Sequence, residues 1–195
     1  MIDQLTLMKN HTPSKKFFIA IDSDGCAFDT MEIKHKECFI PNIINYWGLQ
    51  AVSKYARAAA EFVNLYSKWR GINRFPALVM TIDLLSQWDK AMERGITLPD
   101  IPNLRKWCET ESKLGNPALK AYCETHDEAD MKTALAWSVA VNETVADMVH
   151  GVPPFPHVRE SLDKAKEVAD ILVCSATPGE ALFRGGAILA EQLGL

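Results

Sequence analysis

The sequence lacks any apolar run long enough to cross a bilayer. Its longest runs, such as residues 17–21, fall far short of the roughly 20 residues that a transmembrane helix needs. Residues 1–16 also lack the apolar core of a secretory signal peptide. These absences predict a protein that does not associate with a membrane and is located in the cytoplasm.

An excess of positive charge is also lacking. The chain has 21 Lys and Arg against 25 Asp and Glu, a formal net charge of −4 at pH 7, and both signs are mixed along its length. A protein that binds nucleic acid usually presents a basic patch, and a membrane-surface helix presents a cationic face. The charge pattern therefore argues against both kinds of partner.

Cysteine is too sparse and too scattered to form a recognisable framework. None of the cysteines lies in a CxxC pair or at a Cys/His spacing typical of zinc sites. An odd number of scattered cysteines predicts free thiols in a reducing compartment. The five are Cys26, Cys38, Cys108, Cys123 and Cys174.

The overall composition is that of an ordinary globular protein. The chain has 195 residues, of which 48% are hydrophobic and 24% charged, enough for a core domain with an insertion. Residues 16–22 have the pattern of a buried strand, and from Thr30 to about residue 150 apolar residues recur at helical spacing. The helical pattern predicts a helix bundle. Its first stripe, interpreted as core, consists of Tyr55, Ala58, Ala59, Phe62, Tyr66 and Trp69.

A second strand is predicted near the end of the chain. The proline-rich residues 151–158 suit a domain boundary, and they precede a predicted helix over 157–169 and a strand over 171–174. Two strands joined through a helix favour a parallel, right-handed βαβ unit. Ligands of such sheets bind beyond the carboxyl ends of the strands. The sequence has two acids after the first strand and Ser175 after the second.

The two acids, Asp22 and Asp24, carry the strongest chemical signal. Alternation along an extended chain directs both carboxylates to one side, where they repel each other unless a cation intervenes. Mg²⁺ fits, because it prefers oxygen ligands and keeps room for water and a phosphate. One carboxylate can attack phosphorus while the other transfers protons. A surface turn or a calcium loop is the alternative. An EF-hand loop has glycine at position six and glutamate at position twelve, whereas here, counting from Asp22, Gly25 is fourth and Ile33 is twelfth. The EF-hand spacing is therefore not met.

The end of the second strand supplies groups that suit an anion. Residues 177–180 (TPGE) have the pattern of a capped helix start, with proline at the first helical position. The free N–H groups at a helix start bind phosphate readily. Ser175, just ahead, is predicted to donate its hydroxyl to the same phosphate.

These residues resemble the motifs of the haloacid dehalogenase (HAD) superfamily. The first motif of that family, a hydrophobic strand followed by DxDG, resembles FFIAIDSDGCAFDT, and the second resembles ILVCSATP. The segment that leads back to the family's core resembles FPHVRESLDKA. The resemblance implies an α/β fold, with a partial Rossmann-like (HAD-like) parallel core from residues 1–31 and 151–195. It also implies a large α-helical cap over residues 32–150.

The same resemblance implies roles for individual residues. Asp22 would be the nucleophile and a Mg²⁺ ligand, and Asp24 the general acid/base, with its main-chain carbonyl as a second metal ligand. The Ser175 hydroxyl and the Ala176 N–H would bind the phosphate. An aspartate at position 24 favours phosphoryl transfer over dehalogenation.

Two arginines in the predicted cap are weaker candidates for substrate binding. Arg70 and Arg74 flank a glycine turn in KWRGINRF. Such a loop can reach an anionic substrate, although a solvated helix end is the alternative.

The expected activity is Mg²⁺-dependent hydrolysis of small phosphorylated metabolites through an aspartyl-phosphate. A phosphomutase and a non-catalytic binding or regulatory module are the alternatives. The family's third-motif lysine or arginine and fourth-motif acids have no clear counterpart, since the segment after Ser175 offers only Glu180, Arg184 and Glu191. The sequence therefore predicts an incomplete copy with impaired turnover. It does not indicate an oligomeric state.

Overall fold

The computed structural model describes residues 10–174. The chain divides into two compact units, one formed by Met1–Thr30 with Gly151–Leu195 and the other by Met31–His150. We call them the sheet unit and the helical unit. The fold is mixed α/β and mainly helical.

The helical unit is a succession of helices interrupted by two wider π-helical segments. In chain order its segments are α1 (Met31–Ile33), the first π segment (Lys34–Phe39), α2 (Ile40–Tyr46), a 3₁₀ turn (Gln50–Val52), α3 (Ser53–Glu61), the second π segment (Phe62–Tyr66), α4 (Arg74–Ser86), α5 (Asp89–Met92), α6 (Pro102–Thr110), α7 (Asn116–Thr125) and α8 (Ala129–Met148).

An aromatic cluster lies in the core of the helical unit. Phe75 of α4 meets Trp107 of α6 and Trp137 of α8 edge to face, with ring centroids 5.1 and 6.0 Å apart. All three side chains are buried. Edge-to-face pairs add about 1 kcal/mol each to the gain from burial. The cluster therefore holds three helices together that are distant in sequence.

The predicted core stripe from Tyr55 to Trp69 is wrong at most of its positions: Ala59 is buried and Tyr55 half-buried, whereas Ala58 is exposed. Phe62 and Tyr66 are 46% and 59% exposed, whereas Val63 and Leu65 are buried. The buried face of α3 runs through Ala56, Ala59 and Ala60 at ordinary helical spacing and continues to Val63. The stripe followed the large aromatic side chains, whereas this face carries small ones.

The sheet unit contains two parallel strands, as the sequence predicts, but β1 is not the buried strand expected, since Phe17 and Phe18 are each 55% exposed. Strand β1 (Phe17–Ile21) pairs with β2 (Ala169–Val173) in a register that runs from Phe17 opposite Ala169 to Ile21 opposite Val173. The described residues form a two-stranded sheet. The larger Rossmann-like core stays a prediction.

The helix before β2 is shorter than predicted. Helix α9 (Val158–Ala165) ends four residues before the predicted end at residue 169, and β2 begins at Ala169 rather than 171. Val168 is 53% exposed and follows α9, so it does not join the buried face of that helix. Leu162 of α9 is buried and packs in a cluster that includes residues of both strands.

Within residues 10–174, no helix combines the length and the apolar character that crossing a membrane requires.

Candidate functional site

Asp22 is the first residue after β1. Its side chain is exposed to solvent, and its Oδ1 accepts a hydrogen bond from the N–H of Ser23 at 2.8 Å. This contact fixes one carboxylate oxygen against the backbone. The carboxylate is therefore oriented and accessible to a ligand from solvent.

A tight loop follows Asp22 and turns the chain away from the strand end. The carbonyl of Ser23 accepts hydrogen bonds from the N–H groups of Ala27 and Phe28 at 3.0 and 2.9 Å. Gly25 donates its N–H to the carbonyl of Phe28 at 2.8 Å, with φ at 71°. A left-handed φ favours glycine, so this position explains the glycine of the DxDG pattern.

Phe28 anchors this loop in the sheet unit. Its side chain is 3% exposed and packs with Leu162 and with strand residues Ile21 and Ile171. The neighbouring Ala27 accepts a hydrogen bond from the N–H of Phe155 at 2.9 Å. The loop that carries Asp24 is therefore held by an apolar side chain and by the backbone.

Asp24 lies within this loop and is partly buried. Its Oδ1 accepts a hydrogen bond from the hydroxyl of Thr30 at 2.5 Å. Thr30 is itself 8% exposed. Two acids that are adjacent in the sequence pattern thus have different environments, since Asp22 faces solvent and Asp24 is bonded to a buried hydroxyl.

The carboxyl ends of the two strands lie side by side. Ile21 and Val173 are the last pair in the register, and Cys174 donates its N–H to the carbonyl of Ile21 at 2.8 Å. Asp22 and residue 175 each come directly after these bonded residues. Ser175 and Ala176 themselves lie outside the described residues, so their predicted phosphate contacts stay predictions.

The carboxylate oxygens that follow β1 are the type of ligand that magnesium prefers. Mg²⁺ usually binds one or two carboxylates and completes its six positions with water and substrate phosphate. The exposed Asp22 carboxylate and Asp24, two positions later in the chain, are donors of this kind. Among residues 10–174, no group of three or more His, Cys, Asp or Glu is arranged to hold a metal ion. Magnesium at Asp22 and Asp24 therefore stays a prediction.

Arg70, a predicted substrate contact, is exposed in the turn that follows the second π segment. Its Nη1 donates to the carbonyl of Leu65 at 3.3 Å. Near this turn the hydroxyl of Tyr66 donates to Glu32 at 2.9 Å, and Glu32 also pairs with Lys36. The hydrogen bonds from Lys36 and Tyr66 lower the pKa of Glu32. Arg70 remains accessible to an anion.

Arg74, the other predicted substrate contact, is held within the helical unit. Its Nη1 donates to the carbonyl and hydroxyl of Ser138, both at 3.1 Å, and to Asn142 Oδ1 at 2.8 Å. Its guanidinium lies 4.9 Å from the centre of the Phe39 ring. Burial lowers the pKa of Arg74 to about 10. These contacts join the start of α4 to α8, which gives Arg74 a packing role.

Sequence reasoning missed two residues of the site, Phe28 and Thr30. An apolar residue inside the DxDG loop was the available signal for Phe28, because an exposed loop tip rarely carries phenylalanine. Thr30 had no comparable signal. Its importance depends on a hydrogen bond that closes a six-residue segment back onto Asp24.

No protein-family model, curated protein or solved structure matches this chain. The functional assignment therefore depends on the residues at the strand ends.

Proposed function

We propose that the protein is a Mg²⁺-dependent phosphohydrolase of small phosphorylated metabolites, with Asp22 as the nucleophile. One observation supports this above all: an exposed, oriented carboxylate directly follows β1, beside the end of a parallel neighbour. Sheets of this kind bind ligands beyond the carboxyl ends of their strands. The resemblance of residues 17–30 to the first HAD motif supports the same reaction class.

In the proposed first step, a carboxylate oxygen of Asp22 attacks the phosphorus of a phosphate monoester. A new bond joins this oxygen to phosphorus, and the bond from phosphorus to the ester oxygen breaks. Protonated Asp24 gives its proton to the departing oxygen, which leaves as an alcohol. The product on the protein is an aspartyl-phosphate at Asp22.

In the second step, water hydrolyses the aspartyl-phosphate. Asp24, now ionised, accepts a proton from the water while the water oxygen bonds to phosphorus. The bond from phosphorus to the Asp22 oxygen breaks, which restores the carboxylate and releases inorganic phosphate. The backbone hydrogen bonds from Ser23 to Phe28 support this exchange, because they hold the loop that carries Asp24.

The carboxylate of Asp22 and the main-chain carbonyl of Asp24 would hold magnesium. The ion would reduce the repulsion between the carboxylate and the phosphate and stabilise charge that develops on the phosphoryl oxygens. In the same proposal, the Ser175 hydroxyl and the Ala176 N–H donate to the phosphate. Arg70 is the better candidate for a remote anionic group of the substrate, because Arg74 is already bonded to α8.

The test is hydrolysis of p-nitrophenyl phosphate with Mg²⁺ by the whole chain and by its Asp22→Asn and Asp29→Asn variants. Asp29 is the matched control, since it is an exposed acid close to the same loop. We expect Asp22→Asn to lower the rate at least about a hundredfold and Asp29→Asn to leave it near the wild-type value. Chelation of Mg²⁺ should abolish turnover.

Activity that survives Asp22→Asn would refute the nucleophile assignment. Turnover is expected to be low, because the third-motif and fourth-motif residues have no clear counterpart. Absence of any hydrolysis with this ester and with a panel of sugar and nucleoside monophosphates would refute phosphohydrolase activity of this chain and favour the non-catalytic binding module. Transfer of the phosphoryl group to a second position of a sugar phosphate, without release of phosphate, would identify a mutase.

A further inference from the structure

The reaction proposed above does not by itself account for the hydrogen bond from Thr30 to Asp24. We infer that Thr30 is a positioning residue, whose hydroxyl holds the Asp24 carboxylate in the orientation from which it transfers protons. This inference rests on the proposed function, because it assumes that Asp24 is the acid/base.

Both partners of this bond are fixed by other parts of the sheet unit. Asp24 lies in the loop that Phe28 anchors, and Gly25 closes that loop by donating to the Phe28 carbonyl. Thr30 is buried and directly precedes α1, which begins at Met31. A hydroxyl whose own backbone is held in this way can restrict a neighbouring side chain, whereas a mobile one cannot.

The chemistry of the bond favours a strong interaction. A hydroxyl that donates to a carboxylate makes a charge-assisted hydrogen bond, which is stronger than one between neutral groups. An aspartate side chain otherwise distributes among three staggered χ1 wells. Proton transfer requires the carboxylate within hydrogen-bond reach of the departing oxygen, so restriction to one well favours the reaction.

Thr30 also occupies a distinctive place in the chain. It is the last residue of the sheet unit, and the helical unit begins at Met31. Its hydroxyl is bonded to Asp24 within the sheet unit.

The test compares Thr30→Val, which has nearly the same shape but no hydroxyl, with Thr30→Ser, which keeps the hydroxyl. The first readout is the χ1 distribution of Asp24 in the whole chain, measured by NMR from its three-bond Hα–Hβ couplings. We expect one rotamer in the wild type and in Thr30→Ser, and averaged couplings in Thr30→Val. The unfolding midpoint of each variant is recorded, and couplings are interpreted for variants that fold.

The second readout is kinetic. Thr30→Val should lower kcat for p-nitrophenyl phosphate about tenfold with little change in KM, and Thr30→Ser should restore most of it. A single Asp24 rotamer in Thr30→Val would overturn the inference, whatever the activity. The NMR readout does not depend on catalysis, so it tests the role of Thr30 separately from the proposed function. The proposed function fails when Asp22→Asn retains turnover or when no ester is hydrolysed.

Discussion

The carboxylate of Asp130 accepts a hydrogen bond from the main-chain N–H of Leu104, with Oδ2 and N 3.0 Å apart. The same oxygen accepts from the N–H of Asn103 at 2.9 Å. Asn103 and Leu104 are the second and third residues of α6, and Pro102 before them has no N–H. Asp130, at the start of α8, therefore caps the start of a different helix.

Substitution of this cap should destabilise the helical unit. Asp130→Ala would leave the N–H of Leu104 buried without an acceptor, which costs about 2 kcal/mol. The free energy of unfolding, followed by urea denaturation, checks this. Asp127→Ala is the control, because Asp127 is an exposed acid on the same segment that pairs with Lys132, and it should change stability little. Equal stabilities of the two variants would contradict the cap.

Removal of the Phe28 ring should loosen the loop that carries Asp24. Phe28→Ala deletes a side chain that is 3% exposed, and such deletions cost about 3–5 kcal/mol. The matched control is Phe18→Ala, since Phe18 is 55% exposed on β1. Thermal unfolding should show a large loss for Phe28→Ala alone. Amide hydrogen exchange of Gly25 should also accelerate in that variant, and unchanged exchange would contradict the anchoring role.

The Cys108 thiol should react slowly at ordinary pH. Burial raises its pKa to about 11, compared with a usual value of 9.0. Its thiolate population at pH 8 is then about a hundredfold smaller than that of an ordinary thiol, and thiolate is the reactive form. Alkylation with iodoacetamide followed by peptide mass spectrometry should label the exposed Cys26 first. Cys108 should become labelled as the pH rises towards 11, or at once in urea.

The contacts of Asp170 with the segment before β1 should depend on pH. Its carboxylate accepts hydrogen bonds from the Ser14 hydroxyl and N–H and from the Lys15 N–H, at 2.6, 2.8 and 3.1 Å. These bonds lower the pKa of Asp170 below its usual 3.8. The stabilisation is therefore present above about pH 4 and is lost as the pH falls through the lowered pKa.

The amide resonances of Ser14 and Lys15 report on this transition. We expect them to hold their positions down to about pH 4 and to move only at lower pH. Asp170→Asn should give the low-pH positions already at pH 7. A transition midpoint above 3.8 in the wild type would contradict the prediction.

The strands were the most predictable part of the fold, because β1 is an unbroken apolar run between polar residues. The start of β2 was less clear, since Asp170 lies inside the strand and a charged residue does not indicate one. The structure explains this acid through its bonds to Ser14 and Lys15. Those partners come more than 150 positions earlier, so no local pattern reveals them.

The sequence predicted the helical character of the helical unit, but not which of its residues are buried. Helical periodicity identified the bundle, yet it placed Phe62 and Tyr66 in the core. The interpretation followed the large aromatic side chains, whereas the buried face of α3 carries the small Ala56, Ala59 and Ala60. Similarly, Arg74 resembled a loop arginine until Ser138 and Asn142, over 60 positions later, were seen to bind it.

Short sequence motifs were enough to identify the candidate residues Asp22 and Asp24. They did not reveal contacts that form when the loop after β1 folds back on itself. Asp22 and Asp24 could be identified from an apolar strand followed by two acids and a glycine. The Thr30 hydrogen bond and the Phe28 anchor arise from the way the loop folds back. Such contacts are set by backbone angles and packing, which residue types alone do not specify.

The parallel pairing of β1 with β2 also sets an order of events during synthesis. Phe17 cannot pair with Ala169 until Ala169 has left the ribosome, which happens only after the whole helical unit has been made. Contacts between such distant positions form slowly in an open chain, because closing a long loop costs entropy. A helical unit that has already condensed shortens the effective loop. Nascent chains released before about residue 170 would therefore contain folded helices and an unpaired, apolar β1, which is a natural target for chaperones.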